Sequence, residues 1–137
     1  MKFKGSIIIT DPCYIMRNDH DSDWDNCDYG ENMEKLGISP THLVASTIYG
    51  DWSCTTYNTD TNEAIGEFCA DAGLVGVFLL DDVLKYNPEF NYHTERRWTT
   101  TLIEDFDGDV EIVIENDEDV HVVGTGNINF RAFQTGL

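Results

Sequence analysis

The sequence predicts a mainly β protein, an antiparallel barrel or sandwich of about 8–9 short strands with one or two short helices. Three observations carry that expectation. Runs of five to nine residues rich in Val, Ile, Thr and aromatics recur along the chain. Clusters of Gly, Asn, Asp and Pro separate them. Segments with the 3.6-residue period of an amphipathic helix are scarce and short. At 137 residues the chain is read as a single domain, 1–137, large enough to bury about two thirds of its extended surface without disulfides or metals.

Residues 6–10 (Ser-Ile-Ile-Ile-Thr) form a β-branched run that stops at Asp11-Pro12, hence a buried first strand ended by a turn. In the polar stretch 18–30, Ser22 is placed to cap a short helix carrying Trp24 and Cys27 on one face. A second helical pattern over 32–36 ends at Gly37. Residues 43–49 and 52–57 are β-prone and separated by Gly50-Asp51, which suggests a tight hairpin. The turn formers at 58–62 lead to a third strand, 64–70. After Asp71-Ala72-Gly73, residues 74–80 are apolar throughout, as expected of a strand covered on both faces at the centre of the sheet. Residues 81–86 suit one helical turn closed by Asn87-Pro88, and 86–94 reads as a loop. Residues 98–106 and 109–115 alternate and are joined through Asp107-Gly108, a strong hairpin signal. Strands over 120–124 and 128–133 complete the chain, with Ile128, Phe130 and Phe133 expected to face inward.

Charge narrows the partners. Lys and Arg number 8 against 26 Asp and Glu, a net charge of −18, so a nucleic-acid backbone or an anionic membrane would be repelled. No direct nucleic-acid or membrane partner is therefore expected. No apolar run reaches the ~18 residues of a membrane span, and residues 1–5 lack the apolar core of a secretory signal, so the cytoplasm is the expected compartment. Most of the excess charge lies in two windows, 19–34 and 104–119, neither of which contains a Lys or Arg. They read either as a solubilising surface or as a mimic of a phosphate backbone.

Motifs for catalysis or metal binding fall short of their templates. Cys13, Cys27, Cys54 and Cys69 contain no C-x₂-C pair, so reduced core thiols are expected rather than zinc or a disulfide framework. Asp105-Phe-Asp107-Gly-Asp109 opens like a calcium loop, but Val110 and Asn116 stand where Gly and Glu are required. None of His20, His42, His93 and His121 adjoins a glycine-framed Ser or Cys, and 50–54 lacks the second Gly of a nucleophile elbow. No catalytic residues, metal ligands or cofactor are assigned. Asp11, Asp51 and Asp71 each sit where a strand breaks; turn capping explains all three, and so would convergence on a ligand at one end of a sheet. Arg96-Arg97 before Trp98 is the only basic pair, and Arg131 lies between Phe130 and Phe133. An Arg beside an aromatic suits a phosphate plus a stacked base.

Three blocks together resemble a family of small phage and bacterial proteins of uncharacterised function. They are Thr10-Asp11-Pro12-Cys13-Tyr14-Ile15 followed by Trp24 and Cys27, then Tyr49-Gly50-Asp51-Trp52, then Ala70-Asp71-Ala72-Gly73-Leu74-Val75-Gly76. The departures are Thr10 in place of the family's Gly and Trp52 in place of the Gly after Gly50-Asp51. The resemblance covers roughly residues 5–80 and implies a phage-like origin and a shared pocket near Asp11, Cys13, Tyr14, Asp51 and Asp71. It implies no reaction.

The expectation is therefore a non-enzymatic small-ligand-binding protein of anti-defence type, sequestering a nucleotide-derived signal of host defence. Asp11, Cys13, Tyr14, Asp51, Trp52, Asp71, Arg97 and Trp98 would form the site, with Asp accepting from sugar hydroxyls, Trp stacking a base and Arg97 meeting phosphate. Two alternatives stand beside it: an acidic decoy for a basic host protein, and a metal-dependent hydrolase built from the strand-end carboxylates. Self-association into a homo-oligomer stays open.

Overall fold

The computed structural model describes residues 1–17, 21–47, 52–91, 99–115 and 119–136. The described residues form eight strands: β1 (Lys2–Thr10), β2 (His42–Ser46), β3 (Trp52–Asn58), β4 (Ala64–Ala70), β5 (Leu74–Leu79), β6 (Thr100–Glu115), β7 (Asp119–Gly126) and β8 (Phe130–Gly136). They also form two short α-helices, α1 (Asp21–Asn26) and α2 (Leu80–Tyr86), and two 3₁₀ turns, Pro12–Ile15 and Met33–Leu36. The fold is mainly β, as predicted. All eight strands belong to one antiparallel sheet in the order β2-β5-β1-β6-β7-β8-β3-β4.

The sheet is not closed by a continuous ladder, but it curls until β4 meets β6. Cys69 N–H donates to the Thr99 carbonyl at 3.3 Å, and a Cβ on Gly66 would lie 3.3 Å from the Thr101 side chain. Across the interior, the buried hydroxyls of Thr56 on β3 and Thr101 on β6 bond to each other at 3.1 Å. The concave face encloses the larger apolar core, which includes Phe3, Ile7, Ile9, Phe68, Val77, Phe106 and Phe130. The opposite face of β1, β5 and β2 is also covered. Ile8 and Phe78 pack there against Ile15, Met33 and Val83 of the helical segments, forming a second core. This double covering explains why β5 is apolar at every position.

Several local expectations hold. Gly37 ends the Met33–Leu36 turn in the left-handed conformation (φ 93°), which glycine adopts without a Cβ clash. β3 and β4 form the hairpin read from 58–62. Others are corrected. β2 and β3 do not pair: β2 lies at the edge beside β5, and β3 pairs with β4 and β8. β5 is second from the edge rather than central. Asp107-Gly108 makes no hairpin, because β6 runs unbroken through it. Gly108 is instead a crossing point, where a Cβ would collide with the Thr125 carbonyl of β7. β6 bends slightly earlier, where Asp105 (φ 51°) is extra against the Gly5–Ile7 segment of β1 and its N–H is held by Ser6 Oγ at 3.2 Å. Phe133 faces outward; Phe130 and Ala132 are the inward residues of β8. Ile128 packs, partly buried, against the larger core from the β7–β8 turn.

Candidate functional site

The predicted rim is built from the chain reversals at one end of the sheet. Asp11 follows β1 in an extended conformation, and its Oδ1 accepts from Cys13 N–H at 3.0 Å, capping the Pro12–Ile15 turn. Oδ2 reaches the turn between β4 and β5, accepting from Ala72 N–H at 2.7 Å and Leu74 N–H at 3.3 Å. That turn also meets the end of β2, where Thr47 N–H and Oγ1 both donate to the Gly73 carbonyl, at 2.7 and 3.0 Å. Trp52, which opens β3, donates its indole N–H to Thr47 Oγ1 at 3.1 Å. Thr10 and Thr100 bond hydroxyl to hydroxyl at 3.0 Å, and Thr10 Oγ1 donates to the Thr99 carbonyl, which brings in the start of β6. The ends of β1, β2 and β4 and the starts of β3, β5 and β6 thus converge.

Asp11 and Asp71 therefore share a rim, but they occupy different levels of it. Asp11 is fully buried and its carboxylate is taken up by three backbone amides, so it is a clamp beneath the rim rather than part of a lining. Trp52 is 6% exposed, with its N–H used by Thr47, so it cannot stack a base. Both are corrections to the expected lining, and the reason is the same: strand-end polar groups serve first to satisfy buried backbone and side-chain partners. Cys13 and Tyr14 are half-buried and Asp71 is exposed, so these three form the accessible level. Asp51, Arg97 and Trp98 lie outside the described residues.

The accessible level has definite electrostatics. Burial first, and then the charged Asp71 carboxylate beside it, hold the Tyr14 phenol well above its ordinary range. Cys13 is also pushed up, first by burial, then by the Asp11 charge and a thiol hydrogen bond to Asp11, with Asp71 adding to it. A thiol so placed stays protonated at neutral pH and is no activated nucleophile. Cys54, buried on β3, is raised by burial and by nearby Cys69 of β4. Cys13, Cys27, Cys54 and Cys69 form no disulfide. Among the described residues no group of three His, Cys, Asp or Glu side chains is arranged to hold a metal ion.

Sequence reasoning passed over Thr47 and Cys69, which join the rim only because β2 and β4 end there. No local pattern marks either one. The acidic windows are also less uniform than the sequence suggests. Asp23 is buried, where it accepts from Arg17 at 2.8 and 3.0 Å and from the Tyr86 hydroxyl at 2.6 Å, and Asp28 pairs with Lys35 at 2.8 Å. On β6, Asp107 and Asp109 stand directly across from Lys4 and Lys2 of β1. No helix among the described residues is long and apolar enough to cross a membrane. The chain matches no protein-family model, no curated protein and no solved structure.

Proposed function

We propose that the protein is a non-enzymatic small-ligand-binding protein whose ligand meets the Cys13–Tyr14–Asp71 level of the rim. The observation that carries this is the exposed Asp71 carboxylate, which lies beside the Tyr14 phenol and opens the turn whose amides the buried Asp11 clamps. A carboxylate on a clamped turn selects donors, such as sugar hydroxyls or ring amines. A nucleotide-derived molecule offers both, and the motif resemblance to phage and bacterial proteins supplies the context of a host-defence signal held in the cytoplasm. Arg97 and Trp98 enter this proposal from the sequence alone, as a phosphate partner and a stacking ring. With 8 basic residues against 26 acids, a ligand of low charge suits the rim better than a polyphosphate. The protonated Cys13 thiol supports binding over nucleophilic chemistry.

The test is native mass spectrometry of the protein purified from cells, followed by incubation with adenosine, adenosine 5′-monophosphate and NAD. A retained or acquired ligand of unaltered mass, lost in Asp71→Asn, supports the proposal. A bare mass throughout, or a hydrolysed ligand, overturns it.

A further inference from the structure

Among the described residues, the helical segments cover the outer face of the sheet over β1, β5 and β2. The outer face of β3 and β8 carries a different set of side chains. Tyr57 stands across from Arg131, and Phe133 from Thr55, in the β3–β8 register. The Tyr57 and Phe133 rings stack with centroids 5.4 Å apart and planes 26° off parallel. Beside them is a hollow of about 260 Å³ lined by Tyr57, Thr59, Asn62, Arg131 and Phe133. Tyr57 is five residues along β3 from Trp52, about 16 Å, so the hollow is separate from the rim.

The walls of the hollow are held before any ligand enters. Asn58 Oδ1 accepts from Asp60 N–H at 2.9 Å and Thr61 N–H at 3.2 Å, which fixes the β3–β4 turn. Asn129 ties that turn to β8, donating its amide to Asp60 at 3.1 Å and accepting from Thr59 N–H at 2.9 Å. Among the described residues, the Thr59 hydroxyl and the Asn62 amide make no hydrogen bond to protein. Arg131 makes one long contact, 3.4 Å to Glu115, whose side chain is half-exposed. A contact of that length and exposure contributes little and leaves most guanidinium donors available.

We propose that this hollow binds a planar aromatic molecule bearing one negative charge. The ring lies against the Tyr57–Phe133 pair, the anionic group meets Arg131, and ring substituents reach Thr59 and Asn62. Guanidinium and aromatic faces together favour this class, because each satisfies a different part of the same ligand. A single charge follows from the one basic residue in the lining, in a chain of net charge −18 with Asp60 and Glu115 close by. The volume is below the ~300–1,000 Å³ of drug-sized sites, which limits the ligand to one or two fused rings. This inference is independent of the rim.

The test is titration of the full chain with 2-naphthoate and its neutral counterpart 2-naphthamide, followed by calorimetry. Saturable binding of naphthoate at one site is expected, with the amide about tenfold weaker or more. Arg131→Gln brings naphthoate down to the level of the amide, whereas Glu115→Gln, which releases the guanidinium, tightens it. Asp71→Asn leaves both unchanged, so failure here and failure at the rim are distinguishable. Arg131 is a half-exposed residue, and an unchanged urea midpoint establishes that its variant is folded. No saturable uptake by the wild type, or equal naphthoate affinity in wild type and Arg131→Gln, overturns the proposal.

Discussion

The Asp11 carboxylate accepts from the Ala72 amide at 2.7 Å across sixty-one residues of chain, binding the end of β1 to the reversal between β4 and β5. The same side chain accepts from Cys13 and Leu74, so one buried anion organises two chain reversals. Both sequence motifs that contain these aspartates make sense in that light: Asp11 supplies the acceptors, and the turn beginning at Asp71 supplies the amides.

Removing that carboxylate leaves three amides to find new partners. A buried unsatisfied donor costs about 1–3 kcal/mol, so Asp11→Ala is expected to lose about 3 kcal/mol or more of a total stability of order 5–15 kcal/mol. Asp11→Asn, which keeps one carbonyl oxygen, should fall between. Urea unfolding with an unchanged m-value checks this, and a loss below about 1 kcal/mol for the alanine variant would contradict the clamp.

The Thr56–Thr101 hydroxyl pair joins β3 to β6 through the interior. Replacing one Thr by Val strands the other hydroxyl, at about 1–3 kcal/mol, whereas replacing both leaves two apolar groups of the same shape and is expected to be nearly neutral. A double-mutant cycle by urea denaturation measures the difference. Additive single-variant costs would mean that the pair does not form.

Alkaline pH should destabilise the fold. Burial raises the thiols of Cys13, Cys27 and Cys54 and the phenol of Tyr14, and Tyr86 is pushed up to about 12 by burial and by its hydrogen bond to Asp23. In each case the folded state keeps a proton that the unfolded chain releases from about pH 8.5 for Cys and about 10 for Tyr. The unfolded state then binds fewer protons, so stability falls as pH rises. The Tyr86 contribution is present below about pH 10 and lost as pH passes through about 12. Urea midpoints at pH 8, 10 and 11.5 should decline, and less steeply above pH 10 in Tyr86→Phe. A flat profile would refute the assignment.

The legible parts of the fold are those set by neighbours in sequence. The β-branched run before Asp11, the all-apolar β5 and the glycine stop at Gly37 each reflect a local requirement, and each is met. Pairing was legible only where a tight turn joins the strands, as in β3–β4. Gly50-Asp51 and Asp107-Gly108 carry the same local signal, yet β2 pairs with β5, and Gly108 serves a backbone crossing inside β6. Composition alone does not separate a glycine needed for a turn from one needed for close approach. At the rim, the convergence of Asp11 and Asp71 was legible from strand breaks. Which of the two is buried was not, because burial depends on how far Oδ2 reaches into the β4–β5 turn. Phe133 was expected inside; β8 alternation from the fully buried Phe130 puts it outside, beside Arg131.

The most direct test of the proposed binding function is a ¹⁵N chemical-shift titration of the protein with adenosine and adenosine 5′-monophosphate. Saturable shifts at the Cys13, Tyr14 and Ala72 amides, abolished by Asp71→Asn and insensitive to added salt, are the expected result. Shifts confined to the carboxylate-bearing outer face of β6 and fading with ionic strength, or no saturable shift at all, would contradict it.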